Sequence, residues 1–230
     1  MTGRYIKRQL QKAGRWIGER PSKIRQWYVL KRVKSRDFTI ISNNCWAGSV
    51  YRYFHLPYLS PTVGLYFFAE DYLKFVSDLH YYLEKRLSFI PAKESRYAEV
   101  LAERNHLHVP VGQLGDIEVI FLHYRTEEEA REKWERRVKR INWDNIFIKF
   151  SRMNLCTDEH IQAFSELPFQ NKFVFNTSRE IRFADEYFWS GPQNDGEIIL
   201  DTKPFPGNIS LVRLLEKKKE SYPEKGLEKD

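Results

Sequence analysis

Polar side chains that interrupt apolar runs mark where this chain could do chemistry. The run Phe38-Thr39-Ile40-Ile41 stops at Ser42-Asn43-Asn44, and Cys45, Trp46 and Gly48 follow. A buried strand reads this way when it delivers polar groups to its carboxyl end. In open α/β sheets, ligands bind in the crevice outside those carboxyl ends. Adjacent asparagines offer amide donors and acceptors. Ser42, Asn43 and Asn44 are thus candidate substrate-binding residues. A tight strand-to-helix turn without chemistry accounts for the same spacing.

His123 ends a second apolar run, Asp116–Tyr124. There its imidazole could act as general base on a sugar hydroxyl. Asp116, after the loop Val111-Gly112-Gln113-Leu114-Gly115, is the candidate carboxylate partner. A histidine bonded to backbone under a loop is the competing reading. Cys45 could be a nucleophile with His123 as its base, but no protease or transamidase signature surrounds it, and a free cysteine more often packs as a small apolar group. Trp46 sits in the polar segment and could stack on a sugar. Ser60-Pro61-Thr62 reads as a rigid turn whose hydroxyls, Ser60 and Thr62, could bind sugar or phosphate. His106 and His108 lack an evident third ligand, so no metal site is expected. No paired-aspartate metal clamp of the nucleotide-sugar glycosyltransferases occurs. The composition names no cofactor.

The elements that must hold these residues alternate. Strands are expected over 38–42, 116–124, 145–150 and 172–176, with an edge strand over 197–200. Helices are expected over 50–54, 70–87, 127–141, 157–167 and 211–219, and residues 109–115 read as a Pro/Gly loop. Residues 63–68 form another apolar run. Acids early and bases late in 70–87 suit a helix dipole, and Thr126 before three glutamates is a helix start. Strands separated by helices predict an α/β fold of three layers with a largely parallel sheet.

Thirteen Tyr, sixteen Phe and six Trp exclude a wholly disordered chain. Two cysteines give no disulfide framework and suit a reducing cytoplasm. No apolar run is long enough to span a bilayer. Residues 1–36 hold twelve Lys/Arg and one acid, Glu19, a charge of +11; of the net +7, residues 37–230 therefore carry −4. The expected division is a basic amphipathic arm over 1–36, a single α/β domain over 37–215 and a charged tail over 216–230 that is expected to be disordered. Interleaved Trp and Tyr suit the arm to an anionic membrane surface, and its apolar stripe suits it equally to packing on the body. Nucleic acid ranks below both, because a nucleic-acid fold usually carries the basic face itself.

The blocks IISNNCWAG, YRYFHLPYLSPTVGLYFF, EDYLKFVSDLHYYL and PVGQLGDIEVIFLHYRTEEEAREKWERRVKRINWDNIFIKF occur in that order. Over roughly 36–185 the chain resembles a bacterial family with a domain of unknown function, whose members are often labelled exopolysaccharide or capsular polysaccharide biosynthesis proteins. The resemblance implies an α/β fold and a role in surface-polysaccharide assembly, and it transfers no catalytic residues. The expectation is a cytoplasmic transferase, peripheral at the inner membrane face. It would move a glycosyl, acyl or phospho-linked group on a saccharide, activated-sugar or lipid-linked saccharide substrate. The alternative is a non-catalytic assembly factor of the same machinery.

Overall fold

The computed structural model describes residue 31, residues 36–201 and residues 211–215. The expected arm and tail lie outside the described residues, apart from Lys31 and Arg36. In chain order the elements are β1 (Thr39–Ser42), α1 (Trp46–Tyr53), α2 (Ala69–Ser77), α3 (Leu79–Glu84) and β2 (Ser88–Ile90). Next come α4 (Ala98–Glu103), β3 (Val111–Leu114), β4 (Ile117–Ile120), α5 (Glu127–Val138) and β5 (Ile146–Ser151). The remainder are α6 (Asp158–Glu166), β6 (Lys172–Asn176), β7 (Glu186–Phe188), β8 (Gln193–Asn194), β9 (Glu197–Ile198) and α7 (Leu211–Leu215).

The main sheet has the order β1-β5-β6-β7, and every pairing in it is parallel. Its strands are apolar on both sides, as a parallel sheet flanked by helices requires. Alternate residues feed different cores. Ile41, Ile148, Phe150 and Val174 pack with Tyr72 and Phe75 of α2 and Ile161 and Phe164 of α6. Ile40, Phe147, Phe173 and Phe175 pack with Trp46 and Val50 of α1 and Leu211 and Leu214 of α7. The fold is therefore a mixed α/β one.

A second, antiparallel sheet, β2-β3-β4, was not foreseen. The expected loop 109–115 contains its middle strand. Gly112 misleads there, because glycine reads as a breaker. Its role is close packing: a Cβ at Gly112 would lie 2.6 Å from the Phe121 ring and 2.7 Å from Leu87. The expected helix 70–87 breaks at Asp78 (φ −141°, ψ 67°), whose carboxylate accepts from Tyr81 N and starts α3. The run 63–68 forms one antiparallel bridge, Tyr66 to Ile120. The expected edge strand 197–200 shortens to β9, paired only with β8.

Candidate functional site at the carboxyl edge of the sheet

The polar residues that end β1 are used by the fold itself. β1 is an edge strand, so its outer N–H and C=O groups need partners. Tyr51 Oη accepts from Ile40 N and donates to Phe38 O, both at 3.0 Å. Thr62 Oγ1 accepts from Ser42 N at 3.1 Å, and Ser60 Oγ lies 3.0 Å from Thr62 Oγ1. Ser42 Oγ and Asn44 Oδ1 accept from Ala47 N and Trp46 N, the first amides of α1. That explains why α1 begins at Trp46, ahead of the expected start at Val50. Asn43 exchanges two bonds with the Ser151 backbone, 2.9 and 3.0 Å, while its carbonyl accepts from Phe67 N. It ties β1 to β5 and to the segment bridged to β4.

These bonds correct the expectation of free substrate-binding groups. Ser42, Asn43, Ser60 and Thr62 are fully buried, with their polar atoms committed to backbone. Trp46 is also fully buried, and Phe173 and Phe175 meet its ring edge-on at 5.5 and 5.7 Å. No face of Trp46 is open for a sugar. Its Nε1 has no hydrogen-bond partner among the described residues.

Between the carboxyl ends of β1 and β5 lies a buried charge network that sequence reasoning missed. Lys149 Nζ pairs with Asp201 and donates to Asn44 Oδ1 at 3.1 Å. Asn44 Nδ2 donates to both Asp201 oxygens, at 2.8 and 2.9 Å, and Ser151 Oγ donates to one of them. Lys149 is wholly buried, and burial holds its pKa below the ordinary lysine range against the raising influence of Asp201. The signal was the lysine inside NIFIKF: a charge in a strand buried on both faces needs a counterion.

On the β1 flank, the segment Gly64–Phe67 gathers Asn43, Cys45 and His123. His123 N donates to Gly64 O at 3.0 Å, and Cys45 Sγ lies 3.6 Å from Leu65 O. Gly48 of α1 packs on Val63, where a Cβ would lie 2.9 Å from Cγ1. Arg52 lies one turn further along α1. Burial, and next the Arg52 charge, hold the His123 pKa below its ordinary value. His123 itself is exposed. Cys45 is half-buried, and desolvation first, then Asp201, pushes its thiol up to about 12. It is a poor nucleophile at neutral pH.

Asp116 is not brought to His123. It lies in the β3–β4 turn, beyond the opposite end of β4. Tyr82 Oη donates to it at 2.8 Å and Lys74 Nζ at 3.2 Å, and the Tyr82 bond leads in holding its carboxyl below the usual range. Asp116 belongs to an exposed surface cluster rather than to a catalytic pair.

Beyond β5 and β6 the edge opens into a crevice of about 260 Å³, lined by Arg152, Asp158, Thr177, Ser178, Glu180 and Arg182. Asp158 Oδ1 accepts from Arg152 and from Arg182 Nη2, the latter at 3.0 Å. Those two hydrogen bonds, Arg152 first, keep its carboxyl below the ordinary value. Among the described residues no three His, Cys, Asp or Glu side chains are grouped to hold a metal. No described helix is long and apolar enough to cross a membrane.

Fold and edge define an α/β protein with a polar crevice at the carboxyl ends of parallel strands, the place where such sheets bind ligands. The chain belongs to the family described as Domain of unknown function (DUF1919), whose model matches residues 20–208. An uncharacterized protein of Haemophilus influenzae is 32% identical over 168 residues, covering 73% of this chain and 75% of the relative. Neither description names an activity.

Proposed function

We propose that this protein is a transferase of surface-polysaccharide assembly that works on a saccharide at the carboxyl edge, with His123 as general base. One observation carries the reading. His123 is exposed just beyond β4, and its backbone N–H donates to Gly64 O in the segment whose Phe67 N donates to Asn43 O at the end of β1. An imidazole can accept the proton of an attacking sugar hydroxyl, and the Arg52 charge favours the negative charge that develops. The substrate is an activated or lipid-linked sugar, which supplies the glycosyl, acyl or phospho-linked group. The sheet is the middle of three layers in this reading. The basic arm, outside the described residues, holds the body at the anionic inner face of the membrane.

His123→Gln tests the proposal in a cell whose polysaccharide depends on this gene. Polymer output should fall by about 10²–10⁴-fold, the usual cost of removing a general base, with an unchanged circular dichroism spectrum. Full output from that folded variant overturns the enzymatic reading. It would favour the second one, a non-catalytic assembly factor, which rests on the distance of Asp116 from His123: the base has no carboxylate partner among the described residues.

A further inference from the structure

The crevice over β5 and β6 plays no part in the His123 argument, and its chemistry is of a different kind. Arg152 follows the last residue of β5, Thr177 and Ser178 follow β6, and Arg182 comes from the connection to β7. Their side chains reach one opening of about 260 Å³ from two segments of chain, the end of β5 and the β6–β7 connection. A second opening adjoins it, sharing Asp158 and Arg182 and lined also by Glu159, Gln162 and Glu166.

Both guanidinium groups converge on a single carboxylate oxygen, Asp158 Oδ1. The arginine side chains are 19% and 33% exposed, whereas that of Asp158 is 58% exposed. Arg152 is the most enclosed of the three side chains and Asp158 the most solvent-facing. An arginine fork prefers two oxygens to one, and a phosphate group supplies three. Other charges face the same place. Glu180 lines the opening, and Glu186 approaches Arg182 Nη2 at 3.8 Å but is buried and bonded to Asn176 and to Arg182 N. The Glu180 carboxylate is an acceptor suited to sugar hydroxyls. Thr177 and Ser178 add hydroxyl groups to the wall.

We propose that this crevice binds a monosaccharide phosphate, its phosphate replacing the Asp158 carboxylate between Arg152 and Arg182. The proposal goes beyond the transferase reading and does not require His123. Glucose 1-phosphate, inorganic phosphate and glucose serve as probes, titrated calorimetrically into the full chain. Glucose 1-phosphate should bind, inorganic phosphate at least tenfold more weakly, and glucose without detectable heat. Asp158→Asn removes the internal competitor and should tighten glucose 1-phosphate about tenfold. Arg182→Gln should weaken it at least tenfold. If Arg182→Gln lowers the thermal unfolding midpoint, Arg182→Lys replaces it; that variant keeps the charge, loses the fork and should still weaken binding. His123→Gln should bind like the wild type, so the two proposals fail separately. Absence of glucose 1-phosphate binding in both wild type and Asp158→Asn overturns the site. So does an affinity unmoved by either substitution, or equal binding of inorganic phosphate or glucose.

Discussion

Lys149 lies at a position of zero solvent exposure, and the polar side chains of Asn44, Ser151 and Asp201 are arranged around it. Removing one partner of a buried pair leaves the other uncompensated, which typically costs about 3–5 kcal/mol. Lys149→Met and Asp201→Asn should each destabilise by roughly that amount in urea denaturation. The double variant should cost clearly less than the two together, because neither charge is then stranded. A Lys149→Met cost below about 1 kcal/mol would mean that the pair does not hold the edge. Asn44 explains why residue type alone misleads. Its amide suits a ligand, yet Trp46 N, Lys149, Asp201 and Met153 Sδ take it up.

Among elements, α2 and α3 show how one side chain divides what hydrophobic period would join. Leu73, Val76, Leu79, Leu83 and Leu87 keep a continuous apolar stripe across the break, so the period gives no sign of it. Asp78 makes the division by leaving helical dihedrals and capping the next turn. Asp78→Ala should cost about 1 kcal/mol, the usual value of a lost cap. Thermal unfolding measures it, and an unchanged midpoint would remove the cap from the account. β5 and β6 of the parallel sheet were legible because NIFIKF and KFVFN are largely apolar on both faces, as a sandwiched strand requires. β3 was not, because Gly112 serves packing where it reads as a turn. β7 was not, because only Glu186-Tyr187-Phe188 pairs and a charge opens it. The carboxyl end of β1 was legible as a place. The tasks of its residues were not, because they depend on partners such as Ser151, 108 positions away from Asn43.

At the scale of the whole molecule, stability should depend on pH through Asp71. It joins α2 to β4 and to the segment before α4. Arg96 Nη2 donates to its Oδ1 at 2.8 Å and Glu118 N to its Oδ2 at 3.2 Å, with Glu118, Tyr97 and Glu70 nearby. Burial dominates and raises its pKa to about 6, from an ordinary value of 3.8. Between those values the folded chain keeps a proton that the unfolded chain has lost. The contribution is fully present below about pH 3.8 and fades as pH rises through about 6. Its full size is on the order of 3 kcal/mol. The stability of the wild type relative to Asp71→Asn should therefore fall from pH 4 to pH 7 in denaturant titrations. A difference that is flat or rises over that range contradicts the assignment.

The bond between Asn44 and Asp201 spans 157 positions, and synthesis gives that span a direction in time. Chains leave the ribosome amino end first. β1, β5 and β6 are therefore all available before the residue that neutralises Lys149. Until Asp201 emerges, the lysine belongs to a strand that cannot be sealed, since sealing it would strand an ammonium in an apolar core. The sheet can assemble early, but its carboxyl edge closes last. Released chains truncated just short of Asp201 should therefore be cut by protease at the β1 and β5 ends, where chains that include Asp201 are protected.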